Sequence, residues 1–237
     1  MKKYNSTRLD WDSNFFNIEV GELIANNTSN TSNDDNYFED KFDLIIVKQI
    51  QDKSIKIQDF QNNFQETKVI FSKKLNIENT FILDETILDS DINEVKNSDL
   101  YPLAFESGKF SRFKLDTNFS NLQFENLYKK WIDNSLNKQF ADKVFYIIES
   151  NIVQGFVTVK LNKKHATIGL IAVLDSSQGK GFGTKLLKKV EAYCISNSIL
   201  ELQIPTQKEN SLACNFYNKQ NYSIIEETII KHFWKLI

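Results

Sequence analysis

One junction constrains the fold of this chain more than any other segment. Residues 168–187 read IGLIAVLDSSQGKGFGTKLL. A run of β-branched and apolar residues ends at Leu174, a short polar loop follows, and three glycines lead into an amphipathic segment. This order predicts a strand, a tight turn and a helix over Gly181–Ser196, with Leu186, Leu187 and Val190 on its apolar side.

The glycine-rich turn has the properties of an anion site. Gly179, Gly181 and Gly183 carry no side chains that would keep an anion away from the backbone. The first turn of a helix leaves N–H groups unpaired, and its dipole favours negative charge. The hydroxyl of Thr184 adds a donor. The spacing matches neither the Gly-x-Gly-x-x-Gly dinucleotide fingerprint nor the Gly-Lys-Ser/Thr end of a phosphate-binding loop.

Composition excludes several classes of function. The 237 residues are 41% hydrophobic and 25% charged, with a formal net charge of -2. That balance is typical of a globular protein and gives no basic surface for nucleic acid. No apolar run approaches the roughly eighteen residues of a membrane span, and the N-terminus has no apolar signal segment, so a cytoplasmic location is expected. The two histidines and two cysteines lack metal-ligand spacing, so no metal site is predicted.

Two domains are predicted. An N-terminal α/β lobe over residues 1–78 contains strands at Glu19–Ala25, Phe42–Lys48 and Lys68–Lys74, a helix at Ser54–Phe64 and a polar loop at Asn26–Asn36. The second domain covers residues 79–237. Its predicted elements are a strand (Thr80–Leu88), a helix (Ser90–Ser107), a loop (Gly108–Phe119), a helix capped by Ser120 (Leu122–Phe140), strands (Lys143–Glu149, Ile152–Leu161, Ala166–Leu174), the glycine turn and its helix, a strand (Leu200–Pro205), a helix (Asn210–Gln220) and final strands (Tyr222–Ile237).

Two motifs of the second domain resemble those of the GNAT acetyltransferases. Gln178, Gly181 and Gly183 match the family's Gln/Arg-x-x-Gly-x-Gly turn. The later run NSLACNFY (residues 210–217) is similar to the family's Asn-x-x-Ala-x-x-Phe-Tyr helix. Asp175 stands where proline is common, and Asn221 stands where glycine is common. The resemblance implies an α/β fold with a central mixed, splayed β-sheet flanked by helices, and acetyl-CoA as cosubstrate.

The resemblance also implies roles for individual residues. Backbone groups of Ile171 and Val173 would hold the pantetheine arm as an added strand would, and an N–H near Ile171 would hold the oxyanion. Tyr217 would donate a proton to the leaving thiolate. No general base is assigned, since Glu106, Asp116, Glu149 and water all stay open. The cofactor-binding set is Ile171, Ala172, Val173, Gln178, Gly179, Lys180, Gly181, Phe182, Gly183, Thr184, Asn210, Ala213 and Phe216.

The acceptor is suggested by two further segments. LDWDSNFFNIEVGELI near the N-terminus and FESGKFSRFKLDTNF with LYKKWIDNSL resemble bacterial TDP-fucosamine acetyltransferases, which acetylate a nucleotide-linked amino sugar. Such an acceptor calls for a cation near its diphosphate and aromatic surface for its rings. The substrate-binding residues implied are Arg112, Lys114, Asp116, Tyr128 and Trp131.

Other interpretations stay open at this stage. The acceptor amine is alternatively a protein N-terminus, a polyamine or an antibiotic, and the chain is alternatively a non-catalytic acyl-CoA-binding module. A homodimer is conceivable through an exposed C-terminal strand such as Lys231–Ile237. Tyr217 also fits a purely structural role as a core aromatic of an amphipathic helix.

Overall fold

The computed structural model describes residues 6–25, 41–77 and 85–236. The chain forms two compact units. The smaller comprises Met1–Val69, Gln207–Glu209 and Glu226–Ile237, and the larger comprises Ile70–Thr206 and Asn210–Ile225. The predicted loop Asn26–Asn36 and most of the predicted strand Thr80–Leu88 lie outside the described residues. The division at residues 78 and 79 stays a prediction.

The described elements comprise ten strands, six α-helices and one 3-10 turn. In chain order they are β1 (Thr7–Arg8), α1 (Asp10–Phe16), β2 (Val20–Ala25), β3 (Leu44–Gln49), β4 (Phe60–Lys74), β5 (Ile87–Asp89), α2 (Asn97–Ser107), α3 (Arg112–Leu115), α4 (Asn121–Leu136), β6 (Lys143–Glu149), β7 (Ile152–Leu161), β8 (Ala166–Val173), a 3-10 turn (Asp175–Ser177), α5 (Phe182–Ser196), β9 (Glu201–Gln207), α6 (Ser211–Lys219) and β10 (Ser223–Lys235). No helix in these ranges is long and apolar enough to cross a membrane.

The smaller unit is built on strands in the order β1-β2-β3-β10-β4. Strand β3 pairs parallel with β2 and antiparallel with β10. Its continuous apolar run is typical of an interior strand. One face of β3 packs into a core formed by Leu23, Phe42, Ile45, Val47, Ile57 and Phe233.

Two predictions for this unit were wrong. The segment Ser54–Phe64 is not a helix, because β4 begins at Phe60 and Ile57 is buried in the core of the sheet. Its apolar residues recur at helical intervals, but pairing with distant strands decides the conformation. The C-terminal strand is not exposed either. Strand β10 lies between β3 and β4, and Lys231, His232 and Phe233 are buried, so the predicted route to a homodimer is closed.

The larger unit confirms the predicted fold class. Its own strands run in the order β9-β8-β7-β6-β5, with antiparallel pairing from β5 to β8 and parallel pairing of β8 with β9. Helices accompany this mixed sheet. Strands β6 and β7 have the predicted bounds, and Ser120 caps α4 in a capping box with Gln123. Helix α2 begins at Asn97 rather than Ser90, and the predicted loop Gly108–Phe119 contains the short helix α3.

Candidate functional site

A gap opens between β8 and β9. The described ladder between them has two pairs, Ala166 with Leu202 and Thr167 with Gln203. Beyond Thr167 the two strands separate, as the sequence predicted, while β8 stays paired with β7 as far as Val173. The half of β8 that precedes the glycine turn therefore has one unoccupied hydrogen-bonding edge, which an extended ligand can join as an added strand.

The direction of the backbone N–H groups along β8 follows from two hydrogen bonds. Leu170 donates its N–H to Oγ1 of Thr158 on β7 at 2.9 Å, and Leu174 donates its N–H to the carbonyl of Gln154 at 2.8 Å. Because successive residues of a strand point their N–H groups to opposite edges, the N–H groups of Ile171 and Val173 point into the gap. The N–H of Ala172 points towards β7, where this residue pairs with Phe156.

The glycine turn needs glycine at two of its three positions. Gly179 has φ +78° and Gly181 has φ +85°, and a Cβ atom added at either residue would meet nothing within 4 Å. These residues leave open space beside the backbone in a conformation that side chains disfavour. Gly181 is the N-cap of α5, and no side chain caps that end.

Three donors are therefore available at the start of α5. The N–H of Lys185 bonds the carbonyl of Gly181 at 3.0 Å, which makes it the first intrahelical donor. The N–H groups of Phe182, Gly183 and Thr184 precede it and have no carbonyl one turn back. With the helix dipole, they form a candidate anion site, and its occupation stays a prediction.

Two predicted residues shape the turn by packing. Phe182 is buried. A Cβ atom at Gly183 would lie 3.4 Å from Cζ of Phe216 and 3.8 Å from Cγ2 of Val173, so this glycine faces neighbouring side chains rather than open space. Thr184 accepts a hydrogen bond from the amide of Gln220 at 3.4 Å, which leaves its own hydroxyl hydrogen free to donate.

A buried hydrogen bond between the side chains of Ser177 and Gln154 supports the glycine turn. Ser177 is 1% exposed and donates its hydroxyl to Oε1 of Gln154 at 2.6 Å. The amide nitrogen of Gln154 donates to the carbonyls of Glu149 and Ile152. Above the serine, Nζ of Lys180 lies 3.4 Å from its Oγ. Sequence reasoning missed Gln154, although a single amide inside the apolar strand β7 is a visible signal of a buried polar partner.

Replacing Ser177 by alanine tests this support. The change leaves Oε1 of Gln154 buried without a donor, so the free energy of unfolding should fall by about 1–3 kcal/mol. Because the turn is then less constrained, KM for acetyl-CoA should rise several-fold while kcat changes little. Thermal melts and initial-rate kinetics measure the two effects. Unchanged KM in a destabilised variant would limit Ser177 to a structural role.

The other residues of the turn lie at the surface. Gln178 is exposed, and its amide donates to Oδ1 of Asp175 at 2.7 Å. The carboxylate of Asp175 thus organises the loop in which related turns commonly have proline. Lys180 is also exposed. Both side chains are able to swing toward an anion bound at the start of α5.

Helix α6 presents the second motif. Oδ1 of Asn210 accepts the N–H of Ala213 at 3.2 Å, so Asn210 is the N-cap of the helix rather than part of its face. Ala213 and Phe216 are partly buried. The αL conformation of Asn221, with φ +62°, matches the glycine-like role predicted for that position.

Tyr217 is buried at 4% exposure, with its ring centroid 5.4 Å from that of Phe71. Its hydroxyl donates no hydrogen bond within the described part of the chain. Burial, with a smaller contribution from Cys214, holds the pKa of Tyr217 well above its usual range. The phenol therefore stays protonated at every physiological pH and is able to act as a proton donor.

A neighbouring tyrosine has a structural role. Tyr222, with its ring centroid 6.4 Å from that of Tyr217, donates its hydroxyl to Oε1 of Glu191 at 2.9 Å. Nζ of Lys73 lies 2.8 Å from the same oxygen, and Glu191 is 1% exposed. Burial and the Glu191 carboxylate raise the pKa of Tyr222. This network ties α5 to β4 and to the end of α6.

The residues predicted to bind the acceptor lie around α3 and α4. Tyr128 is buried, and its ring fills the space beside Gly108, where an added Cβ would come within 2.2 Å of it. Its ring centroid is 4.8 Å from that of Trp131, which is partly exposed. Tyr128 is thus a packing residue, and Trp131 is the member of the pair with accessible surface.

Asp116 does not face solvent. It is 1% exposed, and its carboxylate accepts the backbone N–H and the side-chain amide of Asn118 at 3.0 and 2.9 Å. This geometry closes the turn after α3 and leaves the group poorly placed to take a proton from a substrate. Lys114 is exposed, hydrogen-bonds Asn121 and lies over the ring of Phe124.

Arg112 has unused donor capacity. Its Nε is buried without a hydrogen-bond partner among the described residues, and its guanidinium lies 4.7 Å from the ring centroid of Phe113. The adjacent Oγ of Ser111, in a side chain with 5% exposure, is also buried without a partner. Buried polar atoms are nearly always hydrogen-bonded, so these two neighbouring atoms have hydrogen-bonding capacity that the described residues do not use.

The remaining candidates for proton transfer are weak. Glu106 forms an ion pair with Lys109 at 3.0 Å, and Glu149 is exposed at the end of β6. In the described ranges no group of three His, Cys, Asp or Glu side chains is arranged to hold a metal ion. Cys194 and Cys214 are not joined by a disulfide.

Comparison with known proteins agrees with this geometry. Residues 109–222 match the model of the Acetyltransferase (GNAT) family. The structure is similar to that of a protein from Novosphingobium aromaticivorans DSM 12444 assigned to the same family, with a TM-score of 0.56, 10% identity, and coverage of 81% of this chain and 74% of that one. A conserved protein of unknown function from Staphylococcus epidermidis ATCC 12228 is also similar, with a TM-score of 0.54 and 14% identity. The alignment covers 81% of this chain and 73% of that one. These two likenesses concern the fold. No curated protein matches the sequence.

Proposed function

We propose that this chain, whose residues 109–222 match the model of the Acetyltransferase (GNAT) family, transfers the acetyl group of acetyl-CoA to the amino group of a nucleotide-linked sugar. The specific class proposed is a TDP-linked 4-amino-4,6-dideoxy sugar, as used in surface polysaccharides. The acetyl donor follows from the family. The identity of the acceptor is a further proposal. It rests on the buried Oγ of Ser111 and Nε of Arg112, which have no hydrogen-bond partner among the described residues.

Two backbone features of the site support the proposed position of the cofactor. The pyrophosphate of acetyl-CoA takes the N–H groups of Phe182, Gly183 and Thr184, with Gln178 and Lys180 closing over it. The pantetheine arm then runs along the open edge of β8 and bonds the backbone of Val173. The thioester carbonyl accepts the N–H of Ile171, which holds the oxygen as it becomes negative. Ala213 leaves room for the arm beside α6.

The transfer needs one proton donor and one proton acceptor. A neutral amine attacks the thioester carbon, a C–N bond forms, and the C–S bond of the tetrahedral intermediate breaks. Tyr217 donates its phenolic proton to the departing sulfur, and the high pKa of this buried phenol keeps it loaded. The attacking nitrogen loses its extra proton to water, since Asp116 and Glu106 are held in interactions of their own.

The acceptor site has the charge and surface that a nucleotide sugar requires. Lys109 is paired with Glu106, whereas Arg112 has a buried Nε without a hydrogen-bond partner among the described residues. A diphosphate oxygen would accept from the guanidinium, and the hydroxyl of Ser111 would gain a partner. The accessible face of Trp131 offers stacking surface for a ring. A polycationic acceptor has no acidic counterpart among these side chains.

Replacing Arg112 by glutamine tests this assignment. Loss of a charge-assisted contact to the diphosphate should raise KM for the nucleotide sugar by about 10- to 100-fold, because such contacts contribute about 1.5–3 kcal/mol. KM for acetyl-CoA should stay constant. Arg112→Lys keeps the charge but loses the planar guanidinium. Its KM for the nucleotide sugar should therefore lie between the values of the wild type and Arg112→Gln.

The matching experiment is a thiol-release assay with acetyl-CoA and a panel of acceptors. TDP-linked 4-amino sugars, peptides with free N-termini, polyamines and aminoglycosides are compared at equal concentration. Turnover with the nucleotide sugar and dependence on Arg112 support the proposal. Turnover restricted to peptides, polyamines or antibiotics would replace the acceptor. Tight acetyl-CoA binding without turnover on any amine would favour an acyl-CoA-binding module.

A further inference from the structure

Strand β8 contains one more residue than the segment of β7 beside it. Val159 pairs with Ile168 and Val157 pairs with Ile171, so Thr158 alone faces both Gly169 and Leu170. This is a β-bulge, in which two residues of one strand oppose a single residue of the other. It lies immediately before the open edge of β8.

The side chain of Thr158 occupies the bulge. Thr158 is 2% exposed, and its Oγ1 accepts the N–H of Leu170 at 2.9 Å. This hydroxyl takes the place of a backbone carbonyl, which the extra residue has moved out of register. A Cβ added at Gly169 would lie 3.0 Å from the same Oγ1, so the hydroxyl approaches this closely because residue 169 is glycine.

The bulge decides which amides face the gap. An extra residue shifts the alternation of the strand by one place, so every N–H after it points to the opposite edge. The bond from Leu170 to Thr158 fixes the first amide after the shift towards β7. The next amide, that of Ile171, is thereby turned into the gap, where the acetyl carbonyl is expected.

We propose that Thr158 is a positioning residue for the acetyl carbonyl: its hydroxyl anchors the bulge and so aims the Ile171 N–H at the thioester oxygen. Thr158 acts through Leu170 and Ile171 and touches no substrate. The inference rests on the role proposed above for the Ile171 N–H, and it is independent of the acceptor.

The test compares two ligands that differ in the carbonyl oxygen. Acetyl-CoA has this oxygen, whereas S-ethyl-coenzyme A keeps the chain and lacks it. In Thr158→Val the N–H of Leu170 loses its partner and the Ile171 N–H is no longer held. Calorimetric titration should then show affinity for acetyl-CoA about fivefold weaker than in the wild type, with affinity for S-ethyl-coenzyme A unchanged.

Kinetics give a second readout. With any acceptor that supports turnover, kcat of Thr158→Val should fall about tenfold or more, because a misaimed oxyanion donor is felt most in the transition state. Thr158→Ser keeps the hydroxyl and should restore both values. Thr167→Val is the matched control: it removes a hydroxyl from β8, the strand paired with β7, and this hydroxyl accepts from Asn162 at the end of β8 that lies before the bulge.

Each contrary outcome overturns the proposal. Equal weakening of both ligands, or a lower melting temperature with unchanged affinities and kcat, would make Thr158 a structural residue only. Equal affinity of the wild type for both ligands would show that the Ile171 N–H makes no contact with the carbonyl oxygen. If Thr158→Val does not fold, Gly169→Ala replaces it, since its methyl group displaces the hydroxyl and should give the same selective loss. None of these titrations contains an acceptor, so failure of the proposed sugar specificity leaves them unaffected.

Discussion

Replacing Tyr217 by phenylalanine is expected to lower kcat for acetyl transfer by about a hundredfold or more, since a general acid contributes about 10²- to 10⁴-fold. KM for acetyl-CoA should stay nearly constant. The ring keeps its packing against Phe71 and loses only an oxygen that donates to no other group in the described chain. The variant should therefore melt at the wild-type temperature or slightly above it.

Tyr222→Phe is the matched control. The same atom is removed from a buried tyrosine nearby, but here it breaks the bond to Glu191. The free energy of unfolding should fall by about 1–3 kcal/mol, with kcat of the folded enzyme unchanged. If Tyr222→Phe loses activity and Tyr217→Phe keeps it, Tyr217 is not the general acid.

The pH profile follows from the same chemistry. Because the pKa of Tyr217 is raised, its phenol is protonated at and above neutral pH and imposes no alkaline limb up to about pH 9. Activity should rise with pH as the acceptor amine loses its proton, in wild type and Tyr217→Phe alike. An alkaline fall in kcat below pH 9 that vanishes in Tyr217→Phe would contradict this.

Placing a carboxylate on the glycine turn is expected to weaken cofactor binding about a hundredfold while the helix still forms. In Gly181→Asp the new side chain enters open space beside the unpaired amides of α5. Aspartate tolerates the αL conformation better than most residues and is favourable at a helix N-terminus, so the loss of stability should be limited to about 1–2 kcal/mol. A carboxylate about 5 Å from a phosphate charge costs about 3 kcal/mol at an effective dielectric constant near 20, so KM for acetyl-CoA should rise about a hundredfold.

Gly181→Asn isolates the charge. Asparagine has almost the same shape and tolerates the same backbone, so its effect on KM should be several-fold at most. The deficit of the aspartate variant should shrink as ionic strength rises, whereas that of the asparagine variant should not. Equal effects of the two substitutions would show that bulk, not charge, is being excluded from the turn.

Local signals predicted several of the elements that surround the candidate site. Strands β6 and β7 end at turns rich in polar residues, α4 carries its cap in Ser120, and the spacing of Gly179 and Gly181 identifies the turn before α5. In these segments the side-chain pattern, the capping residue and the backbone requirement of glycine agree with one another. The opening between β8 and β9 was predicted through the family resemblance, and the two-pair ladder confirms it.

Features set by distant partners were not predictable in the same way. Ser54–Phe64 has helical spacing, yet pairing with other strands makes its second half the start of β4. The bulge at Gly169 depends on a hydroxyl eleven positions earlier, in Thr158. The buried carboxylate of Asp116 gave no sign in sequence that it closes a local turn. Such features depend on which strands and loops meet, which a one-dimensional pattern leaves open.

The most direct test of the account is acetyl transfer from acetyl-CoA to a TDP-linked 4-amino-4,6-dideoxy sugar, followed by mass spectrometry of the sugar. Wild-type protein, Tyr217→Phe and Gly181→Asp are assayed together. The account predicts a singly N-acetylated nucleotide sugar and one thiol released per product with the wild type. Both variants should form it about a hundredfold more slowly at low acetyl-CoA. An unmodified nucleotide sugar beside acetylated peptides or polyamines would contradict the acceptor, and wild-type rates in both variants would contradict the site.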